Sequence, residues 1–275
     1  MIDLSDVTLC TADTAMIPLA ARAMRLSMER CRFADAIMFS DRHVDGEFRT
    51  VKIDKMDRAG YQAFRMKPPR VETPFTLWIE WDGYVLEPRA WHPAFREFDY
   101  IGARFSPNTS LVGNSGFCLQ SRKFNDALAD ERLAIIEGYN LDYMICLTYH
   151  QILEREFGMK FAPPGLADLF SYEAPMLPKQ PTFGFHGLGS MWRYCSDDEI
   201  AKIIEQVPPY VLSSPQLVTL IWNYATQCKY AVVERLFITM RKCHSREILL
   251  GAFRSALKAP HGDDLFALCE SMVQL

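Results

Sequence analysis

Strand-type and helix-type segments alternate over the first part of the chain, and this alternation constrains the fold more than any other feature. The predicted strands are short and apolar, and the predicted helices carry apolar residues at helical spacing. We predict strands over 6–11, 36–40, 50–53 and 75–79, and helices over 14–30 and 57–66. Because alternating strands and helices pack as a sheet covered by helices, the pattern predicts an α/β fold.

The middle of the chain is richer in glycine, proline and turn residues. We predict a loop at Ser106–Asn108, a helix from Ser121 to Asp130, a helix from Asn140 to Phe157 and a strand over Met159–Ala162. Each of these boundaries rests on a capping residue, a glycine or a proline.

The pattern changes after Cys195, where strand signals end. Residues 196–275 contain four or five short helical segments. The first opens with a capping box at 196–199, and Ser214 precedes a proline at the first position of another. We therefore predict an α/β domain over 1–195 and an α-helical extension over 196–275.

Composition and charge exclude several classes of protein. Of the 275 residues, 49% are hydrophobic, which is enough to bury a core. With 30 Lys+Arg and 34 Asp+Glu, the net charge of −4 and the absence of a long basic run predict no nucleic-acid partner. No apolar run approaches the ~18 residues of a membrane span, so we expect no transmembrane segment. The first ten residues lack a basic region, so we expect no secretory signal. The eight cysteines form no C-x-x-C pair, which predicts reduced thiols and a cytoplasmic location.

Two acidic residues follow the strongest predicted strand, 75–79. Glu80 and Asp82 stand two residues apart, just before Gly83. Ligands of open α/β sheets bind at this edge, and two carboxylates there can hold a divalent cation that in turn holds phosphate oxygens. Asp82 and Gly83 also suit a simple turn.

A glycine-rich segment lies at 112–117. Gly113 and Gly116 flank Asn114 and Ser115, so the backbone can approach a ligand closely, as it also can in an ordinary tight turn. The segment is neither G-x-G-x-x-G nor a Walker A sequence, which excludes those two kinds of nucleotide site.

Two further residues are candidates for chemistry. Asp142 lies at a predicted helix start, where the helix dipole keeps a carboxylate ionised and able to act as a base or ligand. His186 lies between glycines in a predicted loop, which suits a metal ligand or a phosphate contact. Each residue type is also common at such positions without any role.

The order of these segments and the residues in them resemble a bacterial family of poorly characterised glycosyltransferase-like domains of the GT-A type. The resemblance covers roughly residues 5–190. It rests on 80–86 (EWDGYVL), 99–103 (DYIGA), 112–119 (VGNSGFCL), 161–163 (FAP) and 183–187 (FGFHG). It implies a GT-A-like (Rossmann-like) mixed sheet flanked by helices.

The resemblance also implies an activity: transfer of a sugar from a UDP- or GDP-sugar to a glycan or a lipid-linked glycan in polysaccharide biosynthesis. It implies a divalent metal, Mn²⁺ or Mg²⁺, held by Asp82 and His186 with Glu80 assisting, and it makes Asp142 the base. A lipid-linked acceptor would bring the protein to the inner face of the membrane as a peripheral protein. The resemblance assigns donor or acceptor binding to Thr11, Ala12, Asp13, Trp81, Gly113, Asn114, Ser115 and Gly116.

Two alternatives stay open at this point. One is a catalytically degenerate binding module, since Glu80 replaces the first Asp of a D-x-D motif and Leu141 replaces an acid of the family pattern. The other is a nucleotidyltransferase, which also uses strand-end carboxylates and metal, although residues 11–18 offer no glycine or lysine for a phosphate loop.

Overall fold

The chain divides into two compact units in a computed structural model that describes residues 1–105, 111–174 and 177–273. The first unit is Met1–His186 and the second is Gly187–Leu275. The sequence predicts its boundary between 195 and 196. The loop predicted at Ser106–Asn108 lies outside the described residues.

The first unit contains a six-stranded sheet in the order β3-β2-β1-β4-β7-β6 and a three-stranded sheet in the order β5-β9-β8. In the larger sheet β1 to β4 are parallel, and β7 runs antiparallel to both β4 and β6. The strands are β1 (Ile2–Ala12), β2 (Cys31–Ser40), β3 (Arg49–Lys52), β4 (Phe75–Ile79), β5 (Tyr84–Val85), β6 (Tyr100–Ile101), β7 (Phe117–Ser121), β8 (Ser171–Glu173) and β9 (Gly184–His186). This mixed sheet confirms the predicted α/β class.

Helices flank the larger sheet. Those of the first unit are α1 (Ile17–Met28), α2 (Arg58–Met66), α3 (Arg122–Leu128), α4 (Leu141–Tyr143), α5 (His150–Arg155) and α6 (Pro164–Phe170). Two 3-10 helices (Pro88–Ala90 and Pro93–Glu97) and a π-helical segment (Met144–Thr148) complete the list. Asp57 and Ser121 cap α2 and α3 with their side-chain oxygens, as the sequence predicts for both starts.

The alternation of side chains along the strands builds the core. On one face, Cys10, Trp78 and Cys118 belong to a buried cluster. Phe64 of α2 packs edge-on against the Trp78 ring, with centroids 6.3 Å apart. Full burial of side chains of this size stabilises the fold by about 1.5–3 kcal/mol each.

Two predictions for the middle of the chain are wrong. The helix predicted from Asn140 to Phe157 begins where predicted, with Asn140 in the N-cap position, but the π-helical segment interrupts it. The Asn140 side chain makes no cap hydrogen bond and instead accepts one from Arg58. The strand predicted at Met159–Ala162 is reduced to one bridge between Phe161 and Tyr100. Two prolines follow it, and they lack the N–H groups that would extend the ladder.

The three-stranded sheet has no counterpart in the sequence-based prediction. His186, expected in a loop, is the last residue of β9. Its strand begins at Gly184, where an added Cβ would lie 2.1 Å from the Phe117 ring, so glycine lets β9 approach β7. Strands of two or three residues are too short to show a period, which is why the pattern does not reveal them.

The second unit is helical. It begins with a 3-10 helix (Leu188–Arg193) and continues with α7 (Asp197–Ile204), α8 (Pro209–Leu212), α9 (Pro215–Thr226), α10 (Tyr230–Cys243), α11 (Arg246–Ala256) and α12 (His261–Val273). The capping box at Ser196 and the caps at Ser214 and Ser245 form as predicted. Its core includes three mutually packed phenylalanines with centroids 5.3–6.0 Å apart, Phe237, Phe253 and Phe266.

Within the described ranges, every helix is too short or too polar to span a bilayer. All eight cysteines are free thiols, six of them buried.

Candidate functional site

Strand pairing brings the acidic segment to the glycine-rich segment. Because β7 runs antiparallel to β4, Ile79 at the end of β4 lies opposite Phe117 at the start of β7. The N–H of Glu80 then donates to the carbonyl of Gly116 at 2.8 Å, and the N–H of Gly83 donates to the carbonyl of Glu80 at 3.1 Å. Residues 80–83 therefore form the turn that the sequence allows, beside residues 113–116.

The small sheet brings His186 to the same place. Tyr84 of β5 lies opposite Phe185 of β9, so His186 lies next to the turn at 80–83. His186 Nε2 is 3.3 Å from Asp82 Oδ1 and 3.5 Å from Glu80 Oε2. His186 thus meets Glu80 and Asp82, from which it is about a hundred residues away in the sequence.

This cluster fits a divalent cation. Glu80, Asp82 and His186 each offer a ligand atom, and these atoms all lie within 4.8 Å of one another. The Asp82 and His186 side chains are only 7% and 11% exposed, so a bound ion would be shielded from bulk water. Carboxylates suit Mg²⁺ and Mn²⁺, whereas an imidazole suits a transition metal, so the donor set favours Mn²⁺.

The charges in the cluster depend on one another. Burial disfavours the charged form of His186, but the carboxylates of Asp82 and Glu173 outweigh it and raise the pKa of His186 well above its ordinary value. Burial likewise opposes ionisation of Glu80, yet His186, Tyr61 and Arg65 lower the pKa of Glu80 to about 2. Glu80 is therefore ionised at neutral pH, and His186 carries a proton that a bound cation would have to displace from Nε2.

Asn114 joins the glycine-rich turn to the cluster. It adopts a left-handed backbone conformation, with φ of 68°. Its Oδ1 accepts hydrogen bonds from the N–H groups of Gly116 and Phe117, at 3.1 and 3.2 Å. This orientation points its Nδ2 at His186 Nδ1, 3.0 Å away, and at Glu173.

Ser115, the next residue, joins the same turn to Asp142. Its N–H donates to Asp142 Oδ1 at 3.1 Å, and its hydroxyl donates to the same oxygen. Burial outweighs this hydrogen bonding and raises the pKa of Asp142, with a contribution from the charges of Glu173 and Glu80. The expectation that a helix start keeps Asp142 ionised is therefore wrong in direction, because α4 has only three residues and the carboxyl group is buried. A carboxyl group with a raised pKa is a better proton acceptor than an ordinary aspartate.

The end of β1 holds the residues predicted to bind the donor nucleotide. Thr11 and Ala12 are buried strand residues, and Asp13 accepts hydrogen bonds from the N–H groups of Ala15 and Met16, at 2.7 and 2.6 Å. Burial, aided by the charges of Glu80 and Asp82, raises the pKa of Asp13 to about 6. The negative charges of Glu80 and Asp82 therefore repel a negative charge on Asp13. The predicted donor contacts of Thr11, Ala12, Asp13, Trp81 and Gly113 stay predictions.

Three residues of the site are absent from the sequence-based prediction. Glu173 lies beside His186 in the parallel register of β8 and β9, with Oε1 3.5 Å from His186 Nδ1. No sequence signal marks it, because it is in a three-residue strand. Tyr61 and Arg65 of α2 contact Glu80 and Ser115. A tyrosine and an arginine four residues apart, in a segment predicted to be helical, lie on one face of the helix, and this spacing is the signal that could have paired them.

The fold and the site together define a mixed α/β protein with a carboxylate–histidine cluster at one edge of its sheets. The family described as "Protein of unknown function (DUF5672)" matches residues 56–186, which include β4, the glycine-rich turn, Asp142 and His186. No curated protein matches the chain significantly.

Several solved glycosyltransferase structures are similar to the chain. GlyE of Streptococcus pneumoniae has a TM-score of 0.40 and 11% identity, over 69% of this chain and 56% of GlyE. An active-site mutant of LgtC has a TM-score of 0.42 and 10% identity, over 72% of this chain and 95% of LgtC. The mannosyltransferase PcManGT of Pyrobaculum calidifontis, solved with GDP-Man and Mn²⁺, has a TM-score of 0.41 and 9% identity, over 98% of this chain and 81% of PcManGT. The chain spans about half the length of the GlyE structures that it matches.

Proposed function

We propose that this protein is a glycosyltransferase that moves a sugar from a nucleotide-sugar donor to a glycan or lipid-linked glycan, with the help of a divalent metal. One observation carries the proposal: Glu80, Asp82 and His186 form a largely buried cluster in which Glu80 is 28% exposed, and the adjacent residues Asn114 and Ser115 connect it to Asp142. A cation-binding cluster beside a carboxylate with a raised pKa is what this transfer requires, because the leaving group is an anion and the acceptor hydroxyl must lose a proton.

The metal would be held by Asp82 and His186, with Glu80 as the third ligand. When bound, it neutralises the diphosphate that leaves with the nucleotide. Glu173 lies on the side of His186 opposite to the two carboxylates, with Oε1 3.5 Å from Nδ1, and it can accept the Nδ1 proton so that the Nε2 lone pair would face the metal. The cluster is therefore preorganised for a cation by groups of this chain.

Asp142 would accept the proton of the acceptor hydroxyl. Its Oδ1 receives both hydrogen bonds from Ser115, which fixes the orientation of the carboxyl group. The raised pKa suits a base that works near neutral pH, since a general base is most efficient when its pKa approaches the working pH.

The remaining predicted residues would surround the donor. Thr11, Ala12 and Asp13 at the end of β1 would contact the base and ribose. Trp81 and the turn Gly113–Gly116 would line the sugar and acceptor part of the site. We propose a UDP- or GDP-sugar as the donor, a cytoplasmic location and a role in polysaccharide biosynthesis.

A thermal-shift panel tests this proposal first. The full chain is heated with UDP, GDP, CMP and their sugars, with and without Mn²⁺. Ligand at 100 times its dissociation constant should stabilise the protein by about 2.7 kcal/mol. We expect one nucleotide to bind in a metal-dependent manner and its sugar to be released slowly as free sugar, measured by chromatography.

Two variants make the test specific. Asp82→Ala should abolish both the metal-dependent shift and sugar release. Asp45→Ala, which removes a fully exposed carboxylate, should change neither. Metal-dependent binding without any turnover in the presence of acceptors would identify a degenerate binding module, and release of pyrophosphate from a nucleoside triphosphate would identify a nucleotidyltransferase. Either result would refute the proposed transfer.

A further inference from the structure

Helix α2 carries a buried cation that the proposed chemistry does not use. Arg65 is 2% exposed and lies in the core of the first unit. Its guanidinium carbon is 4.3 Å from the centroid of the Trp78 ring. Among the described residues, no carboxylate forms a direct ion pair with it. Burying a charge in this way costs free energy unless other groups stabilise it, so the hydrogen-bond partners of Arg65 indicate what the buried charge does.

The partners of Arg65 belong to the candidate site. Both terminal nitrogens donate to the carbonyl of Ser115 at 3.2 Å, and one of them also donates to the hydroxyl of Tyr61 at 2.8 Å. Ser115 is in the glycine-rich turn, and Tyr61 is four residues earlier on α2, so the two side chains lie on the same face of the helix.

Tyr61 connects Arg65 to Glu80. Its hydroxyl donates to Glu80 Oε1 at 2.6 Å. The other oxygen, Oε2, is the one that lies 3.5 Å from His186 Nε2. Because one carboxylate oxygen is engaged by Tyr61, the carboxylate cannot rotate freely, and Oε2 is held toward His186 and Asp82.

We propose that Arg65 and Tyr61 are positioning residues: Arg65, anchored on Trp78 and the Ser115 carbonyl, holds the Tyr61 hydroxyl, and Tyr61 holds Glu80 in the orientation that binds the metal. This inference rests on the proposed function in one respect, which is that Glu80 is a metal ligand. It assigns a role to α2, a helix that supplies no ligand of its own.

The test measures binding of Mn²⁺ alone to the full chain by titration calorimetry, together with the melting temperature of each variant. Tyr61→Phe keeps the ring and removes only the hydroxyl. Loss of a group that orients a metal ligand typically weakens metal binding by 10–100-fold, and we expect about tenfold here. The matched control is Tyr149→Phe, which removes another hydroxyl that is hydrogen-bonded within the same unit, to the carbonyl of Ala134. A purely structural effect would lower the melting temperature of both variants and leave the Mn²⁺ affinity of both unchanged.

A second variant keeps the test decisive if one protein folds poorly. Arg65→Lys retains the charge but lacks the fork that reaches Tyr61 and Ser115 together, so it should weaken Mn²⁺ binding to a similar extent as Tyr61→Phe. If the wild type binds Mn²⁺, Asp82→Ala abolishes binding and Tyr61→Phe binds as tightly as the wild type, the positioning role is wrong and the metal site stands. If the wild type does not bind Mn²⁺, the metal part of the proposed function fails, and the positioning role fails with it.

Discussion

The contact between Gly116 and His186 gives the sharpest test of the site geometry. A Cβ added at Gly116 would lie 2.0 Å from His186 Nε2, whereas ordinary contacts of a Cβ begin near 3.4 Å. The imidazole or the turn must therefore move by about 1.4 Å, the difference between those two distances, in Gly116→Ala. Disturbing the position of a metal ligand typically weakens metal binding by 10–100-fold, and we expect Mn²⁺ affinity to fall by about 100-fold here, because the ligand itself is displaced.

The same substitution should also destabilise the protein. Overpacking a buried position costs typically 1–3 kcal/mol, and about 2 kcal/mol corresponds to a melting temperature lower by roughly 4–8 °C for a unit of this size. Scanning calorimetry measures this loss, and titration calorimetry measures Mn²⁺ affinity. The control is Gly165→Ala in α6, where an added Cβ meets nothing within 4 Å. Its melting temperature should be unchanged or slightly higher, and its Mn²⁺ affinity should equal that of the wild type. Wild-type Mn²⁺ affinity in Gly116→Ala would refute the placement of His186 against the turn.

Three further predictions follow from the hydrogen bonds and charges described above. Burial raises the pKa of Asp142 above its value in the unfolded chain, so ionisation of Asp142 opposes folding at neutral pH. Asp142→Asn should therefore raise the melting temperature at pH 8, and the difference from the wild type should disappear as the pH falls toward about 4. The same variant should abolish sugar transfer. The hydroxyl of Ser115 lowers the pKa of Asp142, so Ser115→Ala should shift the rising limb of the pH–rate profile to higher pH, and an unshifted profile would contradict Asp142 as the base. Ser196→Ala removes the cap of α7 and should cost about 1 kcal/mol in a denaturant titration, with Mn²⁺ affinity unchanged.

Local signals predicted a large part of the fold. The strand Phe75–Ile79 is predicted with the bounds that the structure has, because a short apolar run that ends in polar turn residues has one simple interpretation. The helix starts at Asp57, Ser121, Ser196 and Ser214 were also predicted, since an N-cap acts on backbone groups two or three residues away. Such features depend on neighbours in the sequence, so the sequence is sufficient to identify them.

Predictions failed where contacts between distant segments decide the local structure. The segment from Asn140 to Phe157 looks like one helix, but Arg58 engages Asn140, and a π-helical segment interrupts the expected helix. The strands β5, β8 and β9 have two or three residues each and exist because they pair with one another. Their sequences alone carry too little periodicity to be recognised.

The sequence by itself determined the α/β class of the first unit, the helical nature of the second, and the residue types of a candidate site at Glu80, Asp82, Asn114, Ser115, Asp142 and His186. The family resemblance grouped His186 with Glu80 and Asp82, but only the tertiary structure gave the distances between them. Only the tertiary structure decided that Glu173 flanks the imidazole and that Arg65 reaches Glu80 through Tyr61. The physical reason is distance along the chain. Helix caps and the types of possible ligands can be recognised from residues that are close in sequence. The cluster instead depends on strand pairing and helix packing, which bring together segments about a hundred residues apart.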